Sequence, residues 1–446
     1  MKKQTIQLSE HFTYSKLFRF CLPSIIMMIF TSIYSVVDGL FVSNFVGKTP
    51  FAALNLIFPF VMILGGFGFM MGTGGSALVA KTLGEQDPRR ANRYFTMMII
   101  VTLIAGLILS LFGILFIRPI SYFLGATEAM IEDCVLYGRT LLVFNTAFML
   151  QNVFQSFFVA AQKPKLGLIV TVAAGLTNMV LDALFIAFFH WGLAGAALAT
   201  GLSQCVGGIL PLIYFLRPNS SLLQLQKTHL EFTPIRKACV NGSSELMTNI
   251  SSSLVSMLYN FQLIRFAGEN GVAAYGVVMY VQFIFMAVFI GYTIGTGPIV
   301  SYHYGAGNEK ELKNMLTKSL LLTILAGILM LSLGYLLAPS LSNVFVGYDQ
   351  TLYEMTVRAL RIFAVSFVLS GINIFTSAFF TALNNGVISA AISFLRTLVF
   401  QVLAILFLPL LWGINGIWLS VAIAEVFACL VSVFFLILKK KEYHYF

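Results

Sequence analysis

Apolar residues occupy this chain in long, nearly unbroken stretches that alternate with short polar or glycine- and proline-rich segments. Each stretch approaches the ~20 residues that a helix needs to cross a bilayer, and none has the alternating ~10-residue pattern of an outer-membrane β-barrel. The breaks between stretches predict twelve membrane-spanning helices. Their approximate limits are 20–44, 52–80, 94–117, 137–160, 166–189, 192–216, 238–263, 273–300, 316–338, 357–382, 387–408 and 413–436.

The composition agrees with an all-α integral membrane protein. Hydrophobic residues fill 59% of the 446 positions and charged residues 10%, whereas a soluble domain carries about 25% charged residues. The chain has no nucleotide-binding or hydrolase motif and no soluble segment long enough for an ATP-driven motor domain. Its five cysteines and five histidines lack the spacing of a zinc site or a disulfide framework. The sequence therefore predicts neither an enzyme nor a protein with a resident cofactor or metal.

Basic residues are distributed unevenly between the two sides of the predicted bundle. An even number of spans puts both termini on one side, which carries twenty of the 27 Lys and Arg residues, against six on the other. Because cytoplasmic loops are enriched in Lys and Arg, both termini are expected in the cytoplasm. Residues 1–16 show no cleavage site of the signal-peptide kind and are expected to be retained. The net charge of +10 thus reflects topology, and no nucleic-acid partner is expected.

The two halves of the chain resemble each other at a nearly constant offset in residue number. Since each half has six spans, both copies enter the membrane in the same direction, as parallel repeats around a central cavity. We expect an N-terminal six-helix lobe at 1–216, a cytoplasmic linker at 217–234 and a C-terminal six-helix lobe at 235–446. The aligned segments are GTGGSALVAKTLGEQD from Gly72 with GTGPIVSYHYGAGN from Gly295, which matches Gly84 to Gly307, SVVDGLFVSNFVG from Ser35 with SMLYNFQLIRFAG from Ser256, and HWGLAGAALATGLSQ from His190 with LWGINGIWLSVAIAE from Leu411.

Four acids fall within the predicted spans, namely Asp38, Asp182, Glu245 and Glu425, and Arg396 is the only base deep in one. An ionisable residue at mid-helix costs at least ~2.5–3.5 kcal/mol in lipid, so each is expected to face a cavity or a partner. Glu425 and Arg396 lie at comparable depths on successive antiparallel spans and are expected to form a structural ion pair. Glu245 lies near the start of span 7, in a stretch rich in Ser, Thr and Asn, and is a candidate for the substrate cavity or a second ion site. The alternative is a residue solvated at the cytoplasmic mouth.

Asp38 and Asp182 lie at similar depth in the outer halves of spans 1 and 5, and they are expected to share one site. Tyr34 and Asn178 precede them by four residues, so each carboxyl group has a polar neighbour on its own helix face. Two carboxyl groups in a low-dielectric site suit uptake of a proton, and with amide and hydroxyl oxygens nearby they equally suit Na⁺. The alternative is a polar cluster that only locks the helices together.

The second half lacks these acids. A purely structural role would be expected in both halves, so their absence favours an ion site specific to the N-terminal lobe. At the offset that aligns Ser35 with Ser256, Asp38 corresponds to Tyr259, Asp182 to Leu403 and Asn178 to Val399.

The motifs IYSVVDGLFVSNFVG, GTGGSALVAKTLGEQD, TNMVLDALFI and GTGPIVSYHYGAGN together resemble the MATE family, the multidrug and toxic compound extrusion transporters. The resemblance covers nearly the whole chain and is closest to the DinF-like branch. It implies two six-helix lobes arranged as a V, and a cation-coupled antiporter in the plasma membrane. It also implies an N-lobe coupling site. This site would consist of Asp38, Asn178 and Asp182, supported by Tyr34 and Thr200, with a span 4 contribution from Asn152 or Gln155.

The sequence also departs from the family. The NorM-like branch has acids in spans 7 and 10 of its C-lobe, whereas span 10 here has none and Glu245 lies near the start of span 7. This departure counts against a C-lobe ion site of the NorM-like kind and leaves H⁺ and Na⁺ both open as the coupling ion.

Export of organic cations or drugs in exchange for H⁺ or Na⁺ is the leading function, with small molecules and membrane lipid as the only partners. A monomer is sufficient for it. A lipid-linked oligosaccharide flippase of the same superfamily is the alternative, but it would need a basic cavity. An intramembrane enzyme or a receptor would leave the duplication without a purpose.

Overall fold

The structure, a computed structural model, describes residues 6–445 except for the side chains at positions 40, 43, 44 and 48. Residues 1–5, which begin the segment expected to be retained, lie outside it, as does residue 446. Within 6–445 no β-strand occurs, and the all-α membrane fold predicted from the sequence is confirmed. The helices are α1 (Tyr14–Phe45), α2 (Lys48–Gly84), α3 (Pro88–Phe123), α4 (Ile131–Ala160), α5 (Pro164–Asp182), α6 (Gly192–Leu216), α7 (Phe232–Gly305), α8 (Glu309–Val346), α9 (Gln350–Ala364), α10 (Phe367–Ala382), α11 (Gly386–Phe394), α12 (Phe400–Trp412) and α13 (Ile414–Tyr443), with π-helical turns at Ala183–Phe188 and Leu395–Val399.

Several helices begin at a side chain that accepts a hydrogen bond from the first turn. Asp87 accepts the Arg90 N–H at 3.0 Å at the start of α3, and Asn308 accepts the Glu311 N–H at 3.2 Å at the start of α8. Asp349 caps α9 in the same way. Such caps satisfy the free N–H groups of a helix, which is why these helices begin before the apolar stretches that predicted them.

Twelve membrane crossings follow from the helix lengths. Within the described chain, ten helical segments are long and apolar enough to cross, and the pair α9–α10, bent by 47°, makes eleven. α7 is counted once among them, although 74 helical residues would extend about 110 Å, far beyond a hydrocarbon core about 30 Å thick. Gly268, at φ 62° and ψ −151°, interrupts it. α7 therefore crosses twice, as segments 232–267 and 269–305.

The backbone repeats at a nearly constant offset. Gly84 and Gly305, the last residues of α2 and α7, are related by the same offset as Ser35 and Ser256. The sequence alignment matched Gly84 with Gly307 and was wrong by two positions, because the GTG triplets stand at different distances from their helix ends. Residues with positive φ recur at this offset to within one position, as Gly47 and Gly268, Gln86 and Gly307, Gln162 and Asn384, and Gly192 and Gly413.

The two halves are connected by residues 217–231, which contain no helix and lie inside the predicted linker 217–234. Backbone N–H groups of this segment donate hydrogen bonds to side chains of α3. Gln224 N–H donates to Asn92 Oδ1 at 2.9 Å, and Gln226 N–H donates to Thr96 Oγ1 at 3.1 Å. The connection therefore follows the N-terminal half before α7 begins.

The two halves share an extended core on one side of the bundle. We call the side where α1 begins and α13 ends the terminal face, and the other side the opposite face. Near the terminal face both halves share a core, in which Cys21 and Val159 lie in one cluster with Val300 and Leu436. Near the opposite face the cores are separate, one drawn from residues 41–197 and the other from residues 255–421. The bundle is thus closed at the terminal face and divided at the opposite face.

Glycines allow the closest contact of this seam. A Cβ on Gly84 would lie 2.0 Å from the Tyr302 carbonyl oxygen, and a Cβ on Gly305 would lie 2.0 Å from the Lys81 carbonyl oxygen. Lys81 and Tyr302 are related by the same offset as the two glycines, so the two contacts are equivalent in the two halves. The backbones of α2 and α7 touch here in a way that a larger residue would prevent.

Residues 6–13 add a second connection across the halves. Glu311 on α8 accepts the Phe12 N–H at 2.9 Å through Oε1, and its Oε2 lies 2.7 Å from His11 Nδ1. Lys318 donates to the Phe12 carbonyl at 2.6 Å. Since Glu311 is buried, these charge-assisted hydrogen bonds hold the segment around His11 and Phe12 on the second half at the terminal face.

Candidate functional site

The two acids expected to share a site meet in the structure. Asp38 lies near the end of α1 and Asp182 at the end of α5, and their carboxyl groups are within hydrogen-bonding reach of each other. The Asp182 side chain is 0% exposed. Two ionised carboxylates at this separation repel each other, so the pair needs a proton or a small cation between them.

Close packing of α1 on α5 brings the acids together. A Cβ on Gly175 of α5 would lie 2.5 Å from the Phe30 ring and 2.7 Å from the Tyr34 ring, so the absence of a side chain allows α1 to approach. Directly after Asp182 the α-helix changes to the π-helical turn Ala183–Phe188. Wider turns of this kind are frequent at functional sites. The acid thus lies where two helices touch and one of them changes its winding.

Polar atoms around the pair are buried without a hydrogen-bond partner among the described residues. Asn178 precedes Asp182 by one turn, and Thr200 lies on α6, which packs on α5. An unsatisfied buried polar group costs about 1–3 kcal/mol, so such a set is expected where a bound cation or proton satisfies it. The unpartnered atoms are Asp38 Oδ1, Asp182 Oδ1 and Oδ2, Asn178 Oδ1 and Nδ2, and Thr200 Oγ1.

The available ligands fit a hard cation. Carboxylate, amide and hydroxyl oxygens suit an ion such as Na⁺, whereas zinc and similar metals prefer imidazole or thiolate. In the part of the chain that the structure describes, no group of three or more His, Cys, Asp or Glu residues is placed to bind a metal. The oxygens of Asp38, Asp182, Asn178 and Thr200 are therefore the candidate ligands, and the carboxyl pair alone is sufficient for a proton.

Helix α4 contributes a phenol that the sequence analysis missed. Tyr137 is 1% exposed and interacts electrostatically with both Asp38 and Asp182. It lies six residues into α4, and Asp38 lies seven residues before the end of α1, so both have the same depth below the opposite face. This agreement in depth was readable from the sequence once α1 and α4 were taken as antiparallel.

The span 4 residues Asn152 and Gln155 are buried on α4, 15 and 18 residues after Tyr137. Their contribution to the site stays a prediction. Tyr34, one turn before Asp38, hydrogen-bonds with the side chain of Gln151, the neighbour of Asn152. This part of α4 therefore contacts α1 close to the acid pair.

The corresponding place in the second half is satisfied internally. Tyr259, at the position of Asp38, places its hydroxyl 2.5 Å from Ser420 Oγ and stacks its ring on Tyr275 with centroids 5.0 Å apart. Leu403, at the position of Asp182, is an exposed apolar residue of α12. The second half therefore offers no carboxyl pair at this depth.

Arg396 and Glu425 form an ion pair in the second half. Arg396 Nη2 lies 2.8 Å from Glu425 Oε1, and Arg396 Nε donates to the same carboxylate at 2.9 and 3.0 Å. Asn373 donates to Glu425 Oε2 at 2.6 Å, so the buried carboxylate is fully bonded. Glu245 is half-buried on α7, within electrostatic reach of Arg396. Arg396, the only base deep in a predicted span, is thus paired with Glu425 and has a second acid nearby.

Comparison with known proteins agrees with this architecture. The MatE family model matches residues 23–184 and again residues 246–406. The multidrug export protein MepA of Staphylococcus saprophyticus is 23% identical over 93% of this chain and 91% of its own length, and MepA of Staphylococcus aureus is 22% identical over 94% and 92%.

Solved transporters have the same fold. A MATE protein in the straight conformation matches with a TM-score of 0.90 at 24% identity, over 96% of both chains. An outward-facing multidrug resistance MATE transporter of the MOP superfamily matches with a TM-score of 0.91 at 23% identity, over 96% of both chains. With a duplicated six-helix fold and a family match in each half, this chain belongs to the MatE family of transporters and is not an enzyme.

Proposed function

We propose that this chain is a secondary active antiporter that exports organic cations or drugs in exchange for H⁺ or Na⁺. The observation that carries the proposal is the contact between Asp38 and Asp182, which needs a bound cation or proton and is present in one half only. Asp38, Asn178 and Asp182 are also the set implied by the DinF-like resemblance. The relatives named multidrug export proteins support small-molecule drugs as the substrate class.

In the proposed orientation, the protein spans the plasma membrane and its terminal face lies in the cytoplasm. Clusters such as Arg89, Arg90 and Arg93 at the start of α3, and residues 439–441 at the end of α13, carry the excess of basic residues on that face. Cytoplasmic loops have this bias. The structure would then be the state that is closed to the cytoplasm and open to the outside.

Helix α1 offers a route from the ion site to the seam between the halves. Six residues before Asp38, the Ser32 hydroxyl donates to the Phe283 carbonyl of α7 at 3.3 Å. Nearer the terminal face, Cys21 of α1 packs closely on Gly295 of α7. A Cβ on Gly295 would lie 2.8 Å from the Cys21 sulfur. A change of charge at Asp38 therefore acts on a helix that contacts the other half directly, as alternating access requires.

In the proposed cycle, a cation or proton enters from the opposite face and binds between Asp38 and Asp182. Its charge relieves their repulsion, α1 and α5 repack, and the cationic substrate leaves to the outside. The ion then moves inward when the terminal face opens. Glu245, half-buried among Ser, Thr and Asn side chains of α7, is proposed as a substrate contact.

The flippase alternative would need a surplus of bases in the cavity to hold a pyrophosphate. Arg396 is paired with Glu425 and has Glu245 nearby, so the local charge is negative. This arrangement favours a cationic substrate over an anionic one.

The test is gradient-driven uptake of ethidium into liposomes that contain the purified protein, with the pH and Na⁺ gradients imposed separately. Asp38→Asn and Asp182→Asn are expected to lose the uptake, because each removes a ligand of the coupling ion. Glu269→Gln, which neutralises an exposed acid near the opposite face, is the control and should retain it. Wild-type uptake by both Asn variants would refute the coupling site, and the gradient that drives wild-type uptake identifies the ion.

A further inference from the structure

A cavity of about 530 Å³ lies near the opposite face of the second half, outside the candidate ion site. It is bordered by α8, α9 and the start of α13. Two arginines one turn apart on α9, Arg358 and Arg361, line it together with Tyr335 of α8 and Leu419 of α13. Residues at i and i+3 share a helix face, so both guanidinium groups belong to the same side of the cavity.

The charge of this cavity is not neutralised within the protein. Among residues 6–445, neither Arg358 nor Arg361 forms an ion pair, whereas Arg90, Arg93 and Arg118 do. One carboxylate also lines the cavity, but its partner is an uncharged side chain: Gln350 Nε2 donates to Glu354 Oε1 at 2.8 Å. Two cations against one acid leave a net positive site.

Arg361 is held in a defined position. Its guanidinium carbon lies 4.7 Å from the centroid of the Tyr335 ring, in a cation–π contact, and its Nε is buried without a hydrogen-bond partner. Guanidinium groups bind phosphate through several N–H groups at once. A fixed guanidinium with an unused donor is a feature of a site that is incomplete without an anion.

The outer wall of the cavity is apolar. Val365, which lines it, is 52% exposed, and Leu336, next to Tyr335, is 72% exposed. Exposed apolar side chains on membrane-spanning helices face lipid chains, and Tyr is enriched where the headgroups begin. A soluble anion would gain nothing from this wall, whereas a lipid would lay its chains along it.

We propose that this cavity binds an anionic phospholipid of the leaflet at the opposite face. The phosphate lies between Arg358 and Arg361, and the acyl chains run along Val365 and Leu336. Basic residues are scarce on this face, which makes two unpaired arginines in one cavity unusual. Since α9 is bent by 47° against α10, the bound lipid also supports the outer limb of that bend.

The first half supplies an internal comparison. At the offset that relates Gln162 to Asn384, Arg139 of α4 corresponds to Arg361 of α9. The position that corresponds to Arg358 is occupied by Leu136, an exposed apolar residue. The first half therefore has one arginine at this place and lacks the second that would complete a phosphate site.

The test is native mass spectrometry of the purified full-length protein, titrated with phosphatidylglycerol or with phosphatidylcholine of the same chains. Wild type and Arg139→Gln are expected to prefer phosphatidylglycerol. The double variant with Arg358→Gln and Arg361→Gln should bind phosphatidylglycerol about tenfold more weakly or worse, since two charge-assisted contacts are lost. Leu419→Trp, which fills the cavity and keeps both charges, should weaken it too, and Glu354→Gln should strengthen it.

Equal binding of both lipids, or undiminished phosphatidylglycerol binding by the double Gln variant, would overturn the proposal. Full binding by Leu419→Trp would overturn the cavity as the site, even if the double variant failed to fold. Complete displacement of the lipid by millimolar inorganic phosphate would assign the arginines to a soluble anion instead.

Discussion

Replacing Gly84 by alanine is expected to shift the protein towards a state that is open at the terminal face. The new Cβ would lie 2.0 Å from the Tyr302 carbonyl oxygen, whereas real Cβ contacts stay above 3.0 Å. Helices α2 and α7 would therefore have to separate by about 1 Å, and overpacking of this kind costs about 1–3 kcal/mol. Under the proposed alternating access, opening of the terminal face separates these two backbones and removes the clash, so the equilibrium should move about 5- to 150-fold towards the open state.

Gly305→Ala should act in the same way, because Gly305 makes the equivalent contact with the Lys81 carbonyl in the other half. Alanine is also the better helix former by about 1 kcal/mol, but that gain is the same in both states and cancels from their ratio. Gly297→Ala is the matched control, since it lies on the same helix and its Cβ would meet no atom within 4 Å.

Double electron–electron resonance between spin labels at Phe123 and Tyr348 measures the shift. Both side chains are highly exposed, and they lie near the opposite face at the ends of α3 and α8, one in each half. The five native cysteines must first be replaced. When the terminal face opens and the opposite face closes, a shorter distance should appear in Gly84→Ala and Gly305→Ala. Distances that stay unchanged in both variants, or that shorten equally in Gly297→Ala, would refute the assignment of the seam to these glycines.

Two further predictions follow from buried charges. Arg396→Gln should lower the free energy of unfolding by about 3–5 kcal/mol, because Glu425 is left unpaired, and adding Glu425→Gln should recover most of that loss. Unfolding in mixed micelles tests this. If the double variant lost the sum of the two single losses, the reasoning would be contradicted. Glu311→Gln should speed amide exchange in residues 6–13 about tenfold, because the charged acceptor of the Phe12 N–H is lost. Hydrogen–deuterium exchange measures this, with the exposed Glu309→Gln as control; equal protection in both would contradict it.

The apolar pattern was enough to predict the helices, because crossing a membrane requires about 20 apolar residues whatever their neighbours. The acids Asp38 and Asp182 were recognisable for a related reason, since a charge in lipid needs an explanation. Details that depend on packing between helices were not readable. The π-helical turn after Asp182 and the bend between α9 and α10 arise from contacts with other helices, which local sequence does not encode.

The residue missed on α4 shows what a list of polar residues omits. Asn152 and Gln155 attracted attention because they are polar, whereas the aromatic Tyr137 did not. Counting residues from each helix end places Tyr137 level with Asp38. In neighbouring antiparallel helices, a residue near the start of one helix lies level with a residue equally far from the end of the other. Depth should therefore be compared before chemistry.

Symmetry and asymmetry have different places in this protein. The seam at the terminal face is symmetric, because Gly84 and Gly305 make equivalent backbone contacts at matching positions of the two halves. The acid pair is not, because Tyr259 replaces Asp38 in the second half and satisfies its hydroxyl on Ser420. A symmetric seam allows the two halves to rock against each other, but it provides no source of free energy for the motion. Under the proposed function, ion binding at the unsatisfied carboxyl pair provides that free energy, and α1 connects the pair to the seam.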